Sequence, residues 1–285
     1  MNNVNKLVLG TAQFGMKYGI NNSIGQVAQN DVNEILNLAE QCGVEYIDTA
    51  YGYGNSEKIL GFSPALHRGN FKIISKYANS KLSPINQFYE SIKHLNKDKI
   101  YAYMIHNFST YVERPAIWND FLKLKEDALV EKIGFSLYST YELEYILEHN
   151  IAVDIIQVPY NLLDRQFEKF FEILNDKGIE IHTRSVFLQG IFFKDINTFE
   201  GKIEPLAKYV QKIQQYCQTN KLNIQDIALG YVLSSISNGV LIGVDSLSQF
   251  KENILSSNYN LSRQDLEFIR SMNVIETNLL SPVNW

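Results

Sequence analysis

The chain has 285 residues, of which 45% are hydrophobic and 20% charged, and its formal net charge is -5 at pH 7. This length and composition suffice for one large core, and a net negative charge with scattered basic residues argues against a nucleic-acid partner. The amino terminus lacks a basic segment followed by an apolar one, and no apolar run approaches about 18 residues, so we expect neither a secretion signal nor a membrane span.

Short apolar runs alternate with amphipathic segments along the whole chain, a pattern typical of parallel strands covered by helices. The predicted strands are Lys6–Gly10, Val44–Asp48, Phe71–Lys76, Lys99–His106, Lys132–Ser136, Val153–Gln157, Ile179–Ser185 and Val240–Gly243. Eight strands in a chain of this length are compatible with an α/β fold in which one (β/α) barrel forms a single domain.

Cap and stop signals mark the helices between these strands. Gly43 is placed to end one helix, and Ser83 followed by Pro84 is placed to begin another. Capping boxes are predicted for Ser139 with Glu142 and for Ser246 with Gln249. The connection from Phe187 to Leu206 is longer and less regular than the others, as expected of a lid or strap over the mouth of a barrel.

Four polar residues follow or end predicted strands and so converge on one barrel mouth: Asp48, Tyr53, Lys76 and His106. A tyrosine has an unperturbed pKa of roughly 10. We expect the ammonium of Lys76 to favour the phenolate of Tyr53 and make it a better acid. Asp48 would hold Lys76 charged and in place, while His106 would hydrogen-bond the substrate oxygen.

Less specific interpretations exist for these residues. Tyr53 alone would be an aromatic residue in a Gly-rich surface loop, and Asp48 with Lys76 would be a structural ion pair. The remaining histidines, His67, His94, His149 and His182, are expected to be structural, and no histidine pair has metal-ligand spacing, so no metal site is expected. Cys42 and Cys217 lack CxxC spacing and are expected to be unpaired thiols in a reducing cytoplasm.

The order of these motifs resembles that of the aldo-keto reductases, a family of nicotinamide-dependent carbonyl reductases built on a TIM barrel. The resemblance rests on Leu7–Ala12, Asp48–Glu57, Ser75–Lys76, Ile105–Asn107, Ile133–Ser139, Gln157–Arg165, Gly190 and Glu252–Asn253. It implies a (β/α)8 barrel over residues 1–285 that reduces an aldehyde or ketone, with Tyr53 as general acid beside Lys76, Asp48 and His106. The implied partner is a small-molecule carbonyl substrate. We expect the enzyme to be a monomer or weak oligomer.

The resemblance also implies a set of cofactor contacts. Ser136 and Gln157, at the ends of the fifth and sixth predicted strands, would hold the nicotinamide carboxamide. The turn after the eighth strand opens a helix whose amides would attract the adenosine phosphate. The complete implied set is Gly10, Thr11, Asp48, Ser136, Gln157, Arg184, Ser185, Gly243, Ser246, Gln249, Glu252 and Asn253.

Three residues depart from the family pattern. Arg184 stands where many members stack an aromatic ring on nicotinamide, and its planar guanidinium can stack as well. Gly243 and Gln249 stand where a basic pair commonly grips the 2′-phosphate, with Asp245 between them. The resemblance favours NADP as the cofactor, and the missing basic pair weakens that preference. We expect NADP with NAD possible, and weak discrimination between the two. Ala12 stands where some members carry a substrate-facing tryptophan, which indicates a roomier pocket for a polar substrate such as a sugar carbonyl.

Two other functions remain open at this stage. The chain could be a nicotinamide-binding regulatory protein with little turnover, although such a sensor does not need all four polar residues. It could also be a barrel isomerase or aldolase that uses Lys76 as a Schiff base, which requires a desolvated lysine with a depressed pKa.

Overall fold

The computed structural model describes residues 3–285 and contains eight parallel strands that close into one barrel in chain order. The strands are β1 (Leu7–Gly10), β2 (Tyr46–Asp48), β3 (Lys72–Tyr77), β4 (Ile100–Ile105), β5 (Val130–Ser136), β6 (Ile155–Pro159), β7 (Glu180–Arg184) and β8 (Gly239–Gly243). Every predicted strand is present with both ends within two residues of the prediction, and the predicted (β/α)8 barrel is confirmed. Residues 1 and 2 of the expected domain lie outside the described residues.

Helices surround the barrel. They are α1 (Ala12–Gly15), α2 (Gln29–Cys42), α3 (Ser56–Gly61), α4 (Pro64–Arg68), α5 (Pro84–Leu95), α6 (Phe108–Glu113), α7 (Trp118–Glu126), α8 (Thr140–Glu148), α9 (Phe171–Asp176), α10 (Ala207–Asn220), α11 (Ile224–Leu233), α12 (Leu247–Ser256) and α13 (Arg263–Ser271). Short 3₁₀ segments occupy Asn3–Lys6, Pro115–Ile117, Glu168–Phe170, Leu188–Phe193, Ile196–Thr198, Gly201–Leu206, Thr277–Leu280 and Pro282–Asn284. The long connection expected to cover the mouth thus consists largely of 3₁₀ turns.

The helix caps follow the sequence signals with one exception. Gly43 ends α2 in the left-handed region at φ 79°, and the Ser139–Glu142 capping box is present at α8. At α12, Ser246 Oγ accepts the predicted hydrogen bond from the Gln249 amide at 3.2 Å. The reciprocal half of that predicted box is wrong, because Gln249 Oε1 accepts from the amide of Asp245 at 2.8 Å. The cap of α12 therefore extends back to Asp245, one residue before Ser246.

The strand register places the polar residues of neighbouring strands at one end of the barrel. Asp48 lies level with Gly10 of β1, and Ser136 of β5 lies level with Gln157 of β6. Side chains alternate between the two faces of a strand, so Lys76 faces the same side as Ile74, two residues before it. Ile74 belongs to a small buried cluster with Ala102 and other residues, separate from the large core between strands and helices.

A second polar group is centred on Glu180, which begins β7 and is 7% exposed. Tyr101 Oη donates to Glu180 Oε2 at 2.7 Å, and Lys132 Nζ lies 2.6 Å from the same oxygen. His182 Nε2 forms a hydrogen bond of 2.7 Å with Glu180 Oε1. Residues toward the amino ends of barrel strands usually serve stability, so we assign this group a structural role.

No helix within residues 3–285 combines the length and the apolar character that a membrane span needs.

Candidate active site

The loop that carries Tyr53 is pinned against the first helix of the chain. Ser56 Oγ donates to the carbonyl oxygen of Thr11 at 2.9 Å, and the amide of Asn55 donates to the carbonyl of Gly15 at 3.4 Å. A Cβ on Gly15 would lie 1.7 Å from the carbonyl oxygen of Tyr53. A side chain at Gly15 would therefore displace this loop, and the glycine helps to fix the position of Tyr53.

Asp48 and Lys76 form a buried ion pair beneath Tyr53. Their side chains are 1% and 0% exposed, and Lys76 Nζ donates to Asp48 Oδ1. The same ammonium donates to the carbonyl oxygen of Thr49 at 3.1 Å and lies 5.4 Å from the centre of the Tyr53 ring. The second carboxylate oxygen of Asp48 accepts from Gln157 Nε2 at 2.8 Å. Asp48 thus connects the ion pair to the end of β6.

His106 directly follows β4, and its ring packs edge-on against Tyr53 with 5.4 Å between the ring centres. Burial and the nearby charges of Lys76 and Arg184 lower the pKa of His106 to about 3. The imidazole is therefore neutral near pH 7, with one ring N–H available for donation.

The structure overturns the prediction that Lys76 makes Tyr53 a stronger acid. Burial raises the pKa of Tyr53 well above 10, and the charge of Asp48 raises it further, while Arg184 lowers it. The physical reason is that burial disfavours the charged phenolate and the Asp48 carboxylate acts in the same direction. Burial also lowers the pKa of Lys76, against the opposing effect of Asp48. Tyr53 accordingly keeps its proton at neutral pH.

A cavity of about 660 Å³ opens above these residues, within the size range usual for ligand and cofactor pockets. Tyr53 and His106 line it, whereas Lys76 is not among the lining residues. Eleven of the twelve predicted cofactor residues line it as well: Gly10, Thr11, Asp48, Ser136, Gln157, Arg184, Ser185, Gly243, Gln249, Glu252 and Asn253. Ser246, the twelfth, is not among the lining residues, and its hydroxyl caps α12.

The cavity has an amide and a hydroxyl side by side, with a guanidinium nearby. Ser136 and Gln157 are each 1% exposed and are adjacent across β5 and β6. Arg184 donates to the carbonyl of Leu137 at 3.0 Å, and its guanidinium carbon lies 4.2 Å from the centre of the Tyr138 ring. The buried Nε of Arg184 has no hydrogen-bond partner within the described chain. A polar planar ring with a carboxamide fits this donor set.

The part of the cavity near α12 carries negative charge. Asn22 Nδ2 donates to Asp245 Oδ1 at 2.9 Å, which ties the loop after β1 to the turn after β8. Glu252 also lines this part, and among the described lining residues Arg184 is the sole lysine or arginine. The region where a phosphate was expected is therefore without a basic side chain.

Sequence reasoning missed several lining residues that come from the loops. Tyr18 and Gln189 meet over the mouth through a hydrogen bond of 3.3 Å from Gln189 Nε2 to Tyr18 Oη. Asn21 Nδ2 likewise donates to the carbonyl oxygen of Gly190 at 2.6 Å. Gln189 and Gly190 have positive φ, at 55° and 88°. Only Gly190 gave a signal in the sequence, since a lone Tyr or Asn in a loop has no distinctive pattern.

Known proteins share both the sequence pattern and the fold. The sequence model of the Aldo/keto reductase family matches residues 6–274. NADH-specific methylglyoxal reductase of Escherichia coli (strain K12) is 26% identical over 82% of this chain and 85% of that protein. Human aldo-keto reductase family 1 member C4 is 23% identical over 87% and 84%. An aldo-keto reductase structure from Bacillus halodurans, in its holo form, matches with a TM-score of 0.77 at 18% identity, covering 95% of this chain and 94% of that one.

The family match and the relatives, on a closed barrel with a cavity at its carboxyl end, show an oxidoreductase of the class that uses a nicotinamide cofactor and acts on small-molecule carbonyls. The chain belongs to the aldo/keto reductase family.

Proposed function

We propose that this protein reduces a small polar aldehyde or ketone with NADH, and that Tyr53 is the general acid. The observation that carries the proposal is that one cavity is lined by both groups of residues. Tyr53 and His106 are among its lining residues, and so are Ser136, Gln157 and Arg184. A carbonyl held in this cavity would have a proton donor and a cofactor within the same site.

The residues of this chain divide the work as follows. Tyr53 Oη and the neutral imidazole of His106 would donate hydrogen bonds to the substrate oxygen. A bound reduced nicotinamide would supply the hydride to the carbonyl carbon. Tyr53 would then pass its proton to that oxygen, and the ammonium of Lys76 would stabilise the resulting phenolate. Because burial keeps Tyr53 protonated, the proton is available at neutral pH.

The preference for NADH rests on the charges at the adenosine end. A 2′-phosphate there would face Asp245 and Glu252, and Arg184 is the sole lysine or arginine among the described lining residues of the whole cavity. Two like unit charges about 4 Å apart repel by about 1 kcal/mol in water and by more at lower dielectric. The relative from Escherichia coli is named as NADH-specific, which agrees with this argument. The same relative acts on methylglyoxal, a small polar carbonyl, and we take that compound as the first substrate to assay.

The test is a binding titration of the purified protein with NADH and with NADPH, followed by turnover with methylglyoxal and a sugar aldehyde. We expect NADH to bind about tenfold more tightly. The Asp245→Asn variant should narrow that difference, because the carboxylate is lost while the amide can still pair with Asn22. Equal affinity for both cofactors, unaltered in Asp245→Asn, would contradict the assigned preference.

Neither alternative function gains support from the site. A regulatory protein would not need a proton donor, a neutral imidazole and a buried ion pair together. The Schiff-base hypothesis requires a lysine with a depressed pKa, and the pKa of Lys76 is indeed lowered. However, its side chain is 0% exposed and does not line the cavity, so a substrate carbonyl has no access to Nζ.

A further inference from the structure

Arg184 carries a positive charge that no acidic group in the described chain neutralises directly. None of the ion pairs within 4 Å includes it. Its NH1 donates to Ser185 Oγ at 3.2 Å, its NH2 donates to the carbonyl of Leu137, and Nε is buried without a partner. One side of the guanidinium lies against the Tyr138 ring. The cation is therefore held in a fixed plane at the cavity wall.

These contacts bring the guanidinium across the end of one strand. Arg184 ends β7, and Leu137 directly follows β5, so the hydrogen bond between them spans the end of β6. Gln157 of β6 and Ser136 of β5 are the residues assigned to the nicotinamide carboxamide. A ring bound by these two side chains would lie next to the guanidinium.

The other ionisable groups named around this end add no second unpaired positive charge. The Asp48 carboxylate and the Lys76 ammonium offset each other, and His106 is neutral. Burial raises the pKa of Asp164 to about 6, so this carboxyl is largely ionised at pH 7, but it forms no ion pair with Arg184 within 4 Å in the described chain. Burial raises the pKa of Tyr18 and of Tyr53, so both phenols keep their protons at that pH. Arg184 is thus an unpaired positive charge next to the proposed nicotinamide position.

We propose that Arg184 makes the site discriminate between the reduced and the oxidised cofactor. The inference rests on the proposed function, since it requires the nicotinamide to bind at Ser136 and Gln157. The reduced ring is neutral, whereas the oxidised ring carries a positive charge that the guanidinium repels. The uncharged aromatic ring that many family members carry at this position has no such effect. The repulsion keeps the site loaded with NADH when NAD⁺ is in excess, and it speeds release of NAD⁺ after each reduction.

The test is the ratio of the two dissociation constants, Kd for NAD⁺ divided by Kd for NADH, in the full-length protein. Two unit charges about 4 Å apart alter a binding constant by about fivefold in bulk water and by more at lower dielectric. We expect a ratio of at least about tenfold in the wild type. Arg184→Gln and Arg184→Tyr should lower the ratio about tenfold, because both remove the charge, and Arg184→Lys should keep most of it.

Arg114→Gln is the matched control. It removes the same charge from an exposed guanidinium that donates to Asn79 Oδ1 at 2.7 Å and does not line the cavity, so the ratio should stay at the wild-type value. If Arg184→Gln and Arg184→Lys change both constants by the same factor, Arg184 is a stacking residue only and the inference is overturned. A wild-type ratio near one overturns it without any variant. If the wild type binds neither cofactor, the proposed function itself fails, which is a distinct result.

Discussion

Replacing Lys76 with methionine would leave the Asp48 carboxylate buried without its cationic partner. The two side chains are 0% and 1% exposed, so water cannot replace the lost ammonium without a rearrangement of the site. Removing one partner of a buried ion pair typically costs about 3–5 kcal/mol of stability. Gln157 would still donate to Asp48 in the variant, so we expect the free energy of unfolding to fall by about 3 kcal/mol, at the lower end of that range.

Urea unfolding of four proteins measures this cost: the wild type, Lys76→Met, Asp48→Asn and the double variant. The double variant should recover much of the loss, because no uncompensated charge remains in it. A loss below about 1 kcal/mol in Lys76→Met, or a double variant as unstable as that single variant, would refute the reasoning. Such a result would mean that water or a proton reaches the Asp48 carboxylate, contrary to its burial in the structure.

The same variants test the electrostatics of the proposed acid. In Lys76→Met the negative charge of Asp48 would no longer be neutralised by an ammonium, so the pKa of Tyr53 should rise further. The pH profile of carbonyl reduction should shift accordingly, whereas Asp48→Asn should shift it in the opposite direction, because the charge of Asp48 raises the pKa of Tyr53. An unchanged profile in Lys76→Met would mean that Lys76 does not tune the acid.

Three further predictions follow from the site and the barrel. Tyr53→Phe should lower turnover by ~10²–10⁴-fold with cofactor affinity unchanged, and wild-type turnover in that variant would rule out the assigned acid. Gln249→Arg should strengthen NADPH binding by ~1–3 kcal/mol and leave NADH binding nearly unaltered, whereas equal changes would mean that the phosphate lies elsewhere. Burial opposes the charge of Glu180, but hydrogen bonds from His182 and other partners lower its pKa to about 2. A depressed pKa stabilises the fold above the unfolded value of 4.5, and this stabilisation is lost as the pH falls toward 2. The wild type should therefore lose up to about 3 kcal/mol of stability over that pH window, and Glu180→Gln should not. Urea unfolding at a series of acid pH values would measure the difference.

The strands could be predicted closely from sequence because each is a short apolar run with polar residues at its ends. The caps at Gly43 and Ser139 could be predicted for a similar reason, since each depends on residues a few positions apart. The same local logic placed the four residues of the proposed proton donor at one mouth of the barrel. It failed only for the Gln249 half of the α12 capping box, where the backbone amide of Asp245 donates to the Gln249 side chain.

Contacts between distant loops could not be predicted in this way. Asn22 and Asp245 are separated by 223 positions, and neither residue lies in a recognisable pattern. The pKa of Tyr53 was missed for a related reason. Sequence order indicated a cation near the phenol, but the direction of the shift depends on how much water the folded cavity excludes and on the position of Asp48.

Asp48 links the pKa of the proposed proton donor to the orientation of a residue assigned to the cofactor, so a change at Asp48 affects both. One of its carboxylate oxygens accepts from Lys76, and the other accepts from Gln157 at 2.8 Å. The first contact sets the charge beneath Tyr53, and the second orients the amide assigned to the nicotinamide carboxamide. An Asp48→Asn change that keeps the shape would still lose the acceptor for one of these two donors. Its effect on cofactor affinity should therefore accompany its effect on the acid, unlike that of Tyr53→Phe, which leaves both contacts of Asp48 in place.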